Sequence, residues 1–395
     1  MACQTNRRAA QIIPRAERDV AMSSDRSTIN LRQLAGLLCC YVIGSAIVFI
    51  PNPLTAAAGN DAWISMTLAY GFGIIMLTCV LYLHNRHDGA SVIAYSRKLI
   101  GRTATYPVGL LYILMLFFAA CAVNASIGDF FTSVMMKRTP SYIFHTIGML
   151  LSALTARSGI RVMARMFFLL LWLMLFFSLL VMILAIPIYQ PAMLLPLFEN
   201  GIKPMLHGLF ISAGFPFGEI VIFAMLLPFV RLQAGQSISK ALYASYSFSA
   251  LMLIVPTICT IMAFGPAAGY FNYSLYRLSI EIHIVELFQR MEAIIGIALI
   301  LGSYMKATLL LFIIYQCLIQ LFNLKDDHVL MYPLSVTCIF LSATMFQSPA
   351  DFQEQVYTIW PFTVIVVGGG LILLFTLITW IKHRRYLQAE RGDTS

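Results

Sequence analysis

Two ionisable side chains stand inside otherwise apolar stretches of the 395-residue chain. Glu219 closes the run Ser212-Ala213-Gly214-Phe215-Pro216-Phe217-Gly218-Glu219. Lys306 lies 14 positions after Glu292 and 14 before Gln320. That is about 20 Å of helix from either end, too deep for the stem to carry the ammonium out to water. A charge at such depth has to face the interior of a helix bundle and find a partner. Glu219 suits a substrate amine or a proton; alternatively, its carboxylate caps the half-helix that follows. Lys306 suits a proton carrier, or a fixed cation filling a position where a transporter might hold sodium. A second break, Ile43-Gly44-Ser45-Ala46 followed by Ile50-Pro51-Asn52-Pro53, interrupts the first apolar stretch. Gly and Pro there free backbone groups that hydrocarbon cannot satisfy, so such breaks survive where they line a cavity or hold a ligand.

The elements that must position these residues follow from composition. The chain is 60% hydrophobic and 11% charged, whereas a soluble domain carries about 25% charged residues. Soluble enzyme, secreted disulfide scaffold and nucleic-acid-binding domain are all poor fits. Apolar runs predict ten membrane spans, at 34–57, 62–83, 106–135, 143–156, 163–188, 205–229, 241–264, 293–322, 329–346 and 356–381. A short amphipathic helix at 91–100 is expected before the third. The expected layout is a cytoplasmic tail over 1–33, a transporter-like membrane domain over 34–381, and a cytoplasmic tail over 382–395. The polar, Arg-rich tail has no apolar core of a cleavable signal peptide. With ten spans, 20 Lys and Arg fall on the side of the termini and five on the other, which predicts cytoplasmic termini. The net charge of +9 therefore needs no nucleic-acid partner. Eight cysteines without a CxxC pair read as small apolar residues rather than zinc ligands or a disulfide framework.

The two breaks occupy the first span of each five-span half, and the halves enter the membrane from opposite sides. This pattern predicts an all-α, five-plus-five inverted repeat (LeuT-like) with broken helices 1 and 6 and a site at the bilayer midplane. The half-helix beginning at Ser45, Ala46 and Ile47, with Gly44 before it, offers free N–H groups to a carboxylate. The half ending near Gly214 offers carbonyls to an ammonium. A zwitterionic amino acid satisfies both, and no cofactor or metal is called for. The expected ligand-binding set is Gly44, Ser45, Ala46, Ile47, Gly214, Phe215, Pro216, Phe217, Gly218 and Glu219, with Lys306 and Glu219 as the proton or cation site. Asp129 is expected to be wet or paired with a neighbouring loop. The charges Glu281, Glu286, Arg290 and Glu292 read as a solvated approach to the eighth span, and Phe167–Phe177 as lipid-facing or packing residues. No HExxH, P-loop or GxSxG pattern occurs, which argues against an enzyme.

The stretch Pro196-Leu197-Phe198-Glu199-Asn200-Gly201-Ile202-Lys203-Pro204, followed by Phe215-Pro216-Phe217-Gly218-Glu219, resembles the B subunits of spore nutrient-germinant receptors. Arg290-Met291-Glu292, the opening Arg32-Gln33-Leu34 leading to Ile43-Gly44-Ser45, and the lysine inside the eighth span are similar too. The likeness covers nearly all of residues 28–385. It implies membership of the amino acid–polyamine–organocation transporter superfamily and a receptor role in the inner membrane of a dormant spore. It further implies a small nutrient ligand, often an amino acid, with a larger A subunit and a C-subunit lipoprotein as partners. Analogy with the fold adds Tyr112 and Phe118 of the third span as pocket-facing side chains. A stand-alone amino-acid/proton symporter of the same superfamily is the alternative.

Overall fold

The computed structural model describes residues 28–233, 235–282, 291–325 and 328–392. The arginines of the tail up to Arg26, together with Glu286 and Arg290, lie outside the described residues. Those described are almost entirely helical. The helices are α1 (Leu31–Ile43), α2 (Ala46–Phe49), α3 (Pro51–Ala58), α4 (Ala62–Arg86), α5 (Val92–Phe130), α6 (Ser141–Arg157), α7 (Ile160–Leu184) and α8 (Ile202–Ser212). They continue with α9 (Ile220–Phe223), α10 (Ile238–Phe264), α11 (Ser274–Glu281), α12 (Met291–Phe322), α13 (Met331–Thr344), α14 (Pro349–Glu354), α15 (Trp360–Thr363) and α16 (Gly370–Gly392). Eight stretches are long and apolar enough to cross a membrane. They correspond to the expected spans except the fourth and ninth, which form helices of 17 and 14 residues, α6 and α13.

Burial sorts these stretches into centre and periphery. The apolar window of Ile202–Phe229 is 89% buried and those of Leu31–Phe49 and Ala293–Phe322 are 78% buried, against 33% for Pro349–Arg384. The interrupted first and sixth spans therefore sit at the core with α12. The aromatic stretch of α7 divides as a membrane helix should. Phe167, Leu171 and Met174 are buried, whereas Phe168, Trp172 and Phe176 are exposed on the face left to lipid.

Local chemistry sets several element ends. Ser91 caps α5 by accepting from Ala94 N–H at 3.2 Å, a residue type favoured there because its oxygen satisfies an orphan donor. The expected amphipathic helix forms over 92–100 and is set apart from the third span at Gly101, whose φ of 83° and ψ of 166° are not helical and whose positive φ glycine adopts without steric penalty. From this segment Arg97 donates to the carbonyls of Gln320 and Leu321 at 2.6 and 2.9 Å, a cation closing the C-terminal end of α12. Ile29 pairs with the strand-like end of the sixth span, giving Ile29 N–H to Phe229 O and Arg231 N–H to Ile29 O, both at 2.9 Å. At the other end of the first span, Asn52 Nδ2 donates to Gly269 O at 3.1 Å. The seven described cysteines are unpaired, and all but Cys79 are buried.

The close approach of α1 and α12 depends on two glycines. A Cβ on Gly302 would stand 2.3 Å from the Gly44 carbonyl oxygen, and one on Gly44 3.2 Å from the Gly302 oxygen. Gly302→Ala is expected to lower stability by about 1–3 kcal/mol, since a backbone atom cannot step aside cheaply. Gly71→Ala meets nothing within 4 Å and should be neutral or stabilising by up to about 1 kcal/mol. Unfolding of both variants in one detergent separates the two expectations; equal effects would refute the role of the close approach.

Candidate functional site

The first break is short. Helix α1 ends at Ile43, Gly44 takes φ 4° and ψ −113°, and α2 resumes at Ala46. The second is wider. After Ser212 the chain makes an irregular turn in which Phe215 is extended, at φ −133° and ψ 117°, and helix resumes at Ile220. Such a break leaves backbone acceptors in an apolar setting, and tyrosines from other helices take two of them. Tyr246 donates to Phe217 O at 2.9 Å and Tyr112 to Val221 O at 3.1 Å.

Glu219 stands at the head of α9 without capping it. Its carboxylate turns to other helices: Oε2 accepts from Lys306 Nζ at 2.5 Å, and Oε1 from Trp360 Nε1 at 3.0 Å. Lys306 is fully buried and Glu219 is 2% exposed. The ammonium also lies 4.4 Å from the centre of the Phe215 ring and 5.4 Å from that of Tyr41, distances at which an aromatic face attracts a cation. One anion, one cation, an indole N–H and two ring faces thus form a compact group of zero net charge. A buried pair survives only when both charges and their remaining hydrogen-bonding capacity are met.

Beside this group lies a cavity lined by Ser45, Phe49, Ala122, Phe215, Glu219 and Trp360, among others. It offers about 30 Å³ to the centre of a water molecule, roughly two to three times what one water needs and far less than an amino acid needs. A wider, more polar cavity of about 210 Å³ is lined by Asp129, His145, Ser342, Gln347 and Ser348. Phe352 belongs to the walls of both, so one ring divides the wide cavity from the narrow one.

Of the residues expected from sequence, Ser45, Phe215 and Glu219 line the narrow cavity. Lys306 reaches it through Glu219. Ala46 and Ile47 are buried in α2. Gly214 lies against Pro361, where a Cβ would be 2.1 Å from the proline Cα. Gly218 packs on Val364 and the Ala213 carbonyl, and Pro216 and Phe217 are buried in the turn. Tyr112 supports the backbone of the sixth span from below. Phe118 stacks on Trp360 at 5.4 Å, holding the indole rather than the cavity wall. Asp129 accepts from Tyr273 at 2.6 Å, and Glu281 pairs with Arg277 at 2.6 Å. Sequence reasoning missed Trp360, Phe352 and Tyr357. Trp360 had one signal, as one of four tryptophans in the chain and followed directly by proline.

The family model described as spore germination protein matches residues 28–350. The chain belongs to that family. It is 25% identical over 375 residues to spore germination protein KB of Bacillus subtilis (strain 168), covering 93% of this chain and 99% of that protein. Spore germination protein XB of Bacillus anthracis is 23% identical over 369 residues, covering 90% and 99%. Among solved structures, MhsT in complex with L-phenylalanine superposes with a TM-score of 0.66 over 88% of this chain and 87% of that one, at 12% identity. That likeness establishes the LeuT-like transporter fold for this multi-pass membrane protein, and these comparisons place it among germination proteins and transporter folds rather than enzymes.

Lys306→Met would leave Glu219 buried with Trp360 as its one remaining donor. The expected loss is about 3–5 kcal/mol, because breaking a buried pair strands the other charge. Lys306→Met combined with Glu219→Gln should recover most of it. Unfolding midpoints of the single and double variants decide the matter: a double variant as unstable as the single would assign the loss to packing of the lysine stem.

Proposed function

We propose that this protein is the membrane subunit of a spore nutrient-germinant receptor, which binds a small neutral or zwitterionic nutrient, an amino acid by preference, between its two broken helices. The observation that carries the reading is the buried, charge-neutral group of Glu219, Lys306 and Trp360 beside a cavity at the break of the sixth span, in a spore germination protein. Because Lys306 already neutralises Glu219, a ligand with net charge would enter without a counter-charge, whereas a zwitterion brings its own. The free N–H groups after Ser45 suit the carboxylate of such a ligand. A ligand that prefers the opened cavity shifts the population away from the arrangement with the narrow one. Partner subunits, an A subunit and a C-subunit lipoprotein, would read that shift at the spore inner membrane, with both termini of this chain in the cytoplasm.

A fixed ammonium in the core favours sensing over ion-coupled transport, since a cation tethered to α12 cannot cross. The symporter reading draws on the same pair, with Glu219 accepting a proton when Lys306 withdraws. Uptake of labelled amino acids into proteoliposomes holding the purified chain, with and without an imposed pH gradient, separates the two. Saturable binding without accumulation is the expected result; gradient-driven accumulation by this chain alone would make it a transporter. Ala122→Leu, which adds bulk to the wall of the narrow cavity, should weaken binding or the germination response by about tenfold or more, as expected when about 1.4 kcal/mol is lost. An unchanged response at normal protein level would remove the cavity from the ligand's path.

A further inference from the structure

The run Pro196–Gly201, which the functional reading above leaves without a role, meets the turn between the first and second spans at a cavity of about 60 Å³. Asn60, Asp61, Pro196, Glu199 and Asn200 stand on its walls. Asp61 is 5% exposed. Its two carboxylate oxygens share a single donor, the Phe198 N–H, at 3.0 and 3.1 Å. It precedes α4 but makes no capping bond to it, and no cation among the described residues pairs with it. Asn60 is 7% exposed. Its Nδ2 donates weakly to Pro196 O at 3.4 Å, and its Oδ1 has no hydrogen-bond partner. A buried carboxylate without a counter-charge and a buried amide oxygen without a donor each carry a desolvation penalty of kcal/mol size. Placed side by side, both are satisfied at once by a cation, which also supplies the missing counter-charge.

We propose that this cavity is a divalent-cation site, held by Asn60 Oδ1, the carboxylates of Asp61 and Glu199, and the side-chain oxygen of Asn200. The donors are all oxygens, with no His or Cys among them, which selects a hard cation. They come from two separate segments, the short 3₁₀ turn Gly59–Asp61 and the irregular run Pro196–Gly201. Ca²⁺ tolerates such geometry and takes six to eight oxygens, whereas Mg²⁺ demands a near-ideal octahedron. Two carboxylates match the charge of one such ion. The site would have a mechanical consequence. Asn60 and Asp61 follow directly on α3, the far half of the first span, and Glu199 and Asn200 lead directly into α8, the near half of the sixth. A bound ion therefore ties together the ends of both broken spans. They already touch there: a Cβ on Gly208 of α8 would stand 3.0 Å from the Cβ of Ala58 at the end of α3.

The test needs no germinant. The purified full chain, stripped with chelator, is titrated with CaCl₂, MgCl₂ and ionic-strength-matched KCl while its thermal unfolding midpoint is followed. Tb³⁺ luminescence, sensitised by Trp63 two residues beyond Asp61, reports binding directly. A saturable rise in midpoint with Ca²⁺, a smaller one with Mg²⁺ and Ca²⁺-displaceable Tb³⁺ emission are expected. Asp61→Asn also loosens the tether to Phe198, so the deciding variants are Glu199→Gln and Asn200→Ala. Glu199 and Asn200 are exposed, and these changes should leave the metal-free midpoint unchanged while weakening Ca²⁺ affinity tenfold or more. Absence of a Ca²⁺ effect in the parent protein, or an effect that persists undiminished in both variants, would overturn the site.

Discussion

A cation fixed about 20 Å of helix from the polar residues at either end of its span must meet an anion, and Lys306 dictates much of the arrangement around it. Its partner Glu219 is at the break of the sixth span, so the break must face α12. The Lys306 backbone lies close to Gly44, where a Cβ on the glycine would be 3.3 Å from the lysine Cβ. The first span must therefore be broken and slim at the same depth. Trp360 fills the remaining acceptor of Glu219 and brings the tenth span against the sixth. Four of the expected spans converge on one ion pair, and displacing the sixth, eighth or tenth alone would leave a charge or an indole N–H in apolar surroundings.

The parts of this group that were legible in the sequence are those that violate the apolar background. Lys306, Glu219 and the clusters of Gly and Pro stand out because hydrocarbon tolerates each only with a compensating partner. Trp360 did not stand out, since an aromatic residue in a membrane helix reads equally well as lipid-facing or as packing. Its role depends on how the tenth span is rotated against the sixth across 141 residues, and no local periodicity encodes that rotation. Phe352 was hidden for the same reason. Tyr112 and Phe118, placed by analogy with the fold, lie close to the site but serve it indirectly, one through a backbone carbonyl and one through the indole. The amphipathic segment at 91–100 was legible both in place and in separation, because the non-helical backbone of Gly101 divides it from the third span.

The two broken spans are held differently at their two ends. On the side of the termini, the Ile29–Val230 pairing joins the start of the first span to the end of the sixth through two backbone hydrogen bonds. On the opposite side, Gly208 of the sixth packs against Ala58 of the first, where a Cβ on the glycine would be 3.0 Å from the alanine Cβ, and Asp61, just after the first, holds the Phe198 N–H, just before the sixth.

The lining of the narrow cavity includes α14 and the irregular turns that follow it. That wall carries Phe352, Val356 and Tyr357, and its helix is interrupted twice, over Gln355–Ile359 and Val364–Gly369, by wide turns of the kind that often mark functional positions. Swinging it outward would join the 30 Å³ cavity to the 210 Å³ one without touching the Lys306–Glu219 bond. It would strain the single bond from Trp360. The ion pair can thus remain whole while the cavity opens, so no bare charge is exposed to an apolar wall in either arrangement. Trp360, bonded to Glu219 and stacked on Phe118, is the side chain through which movement of the tenth span is felt at the site.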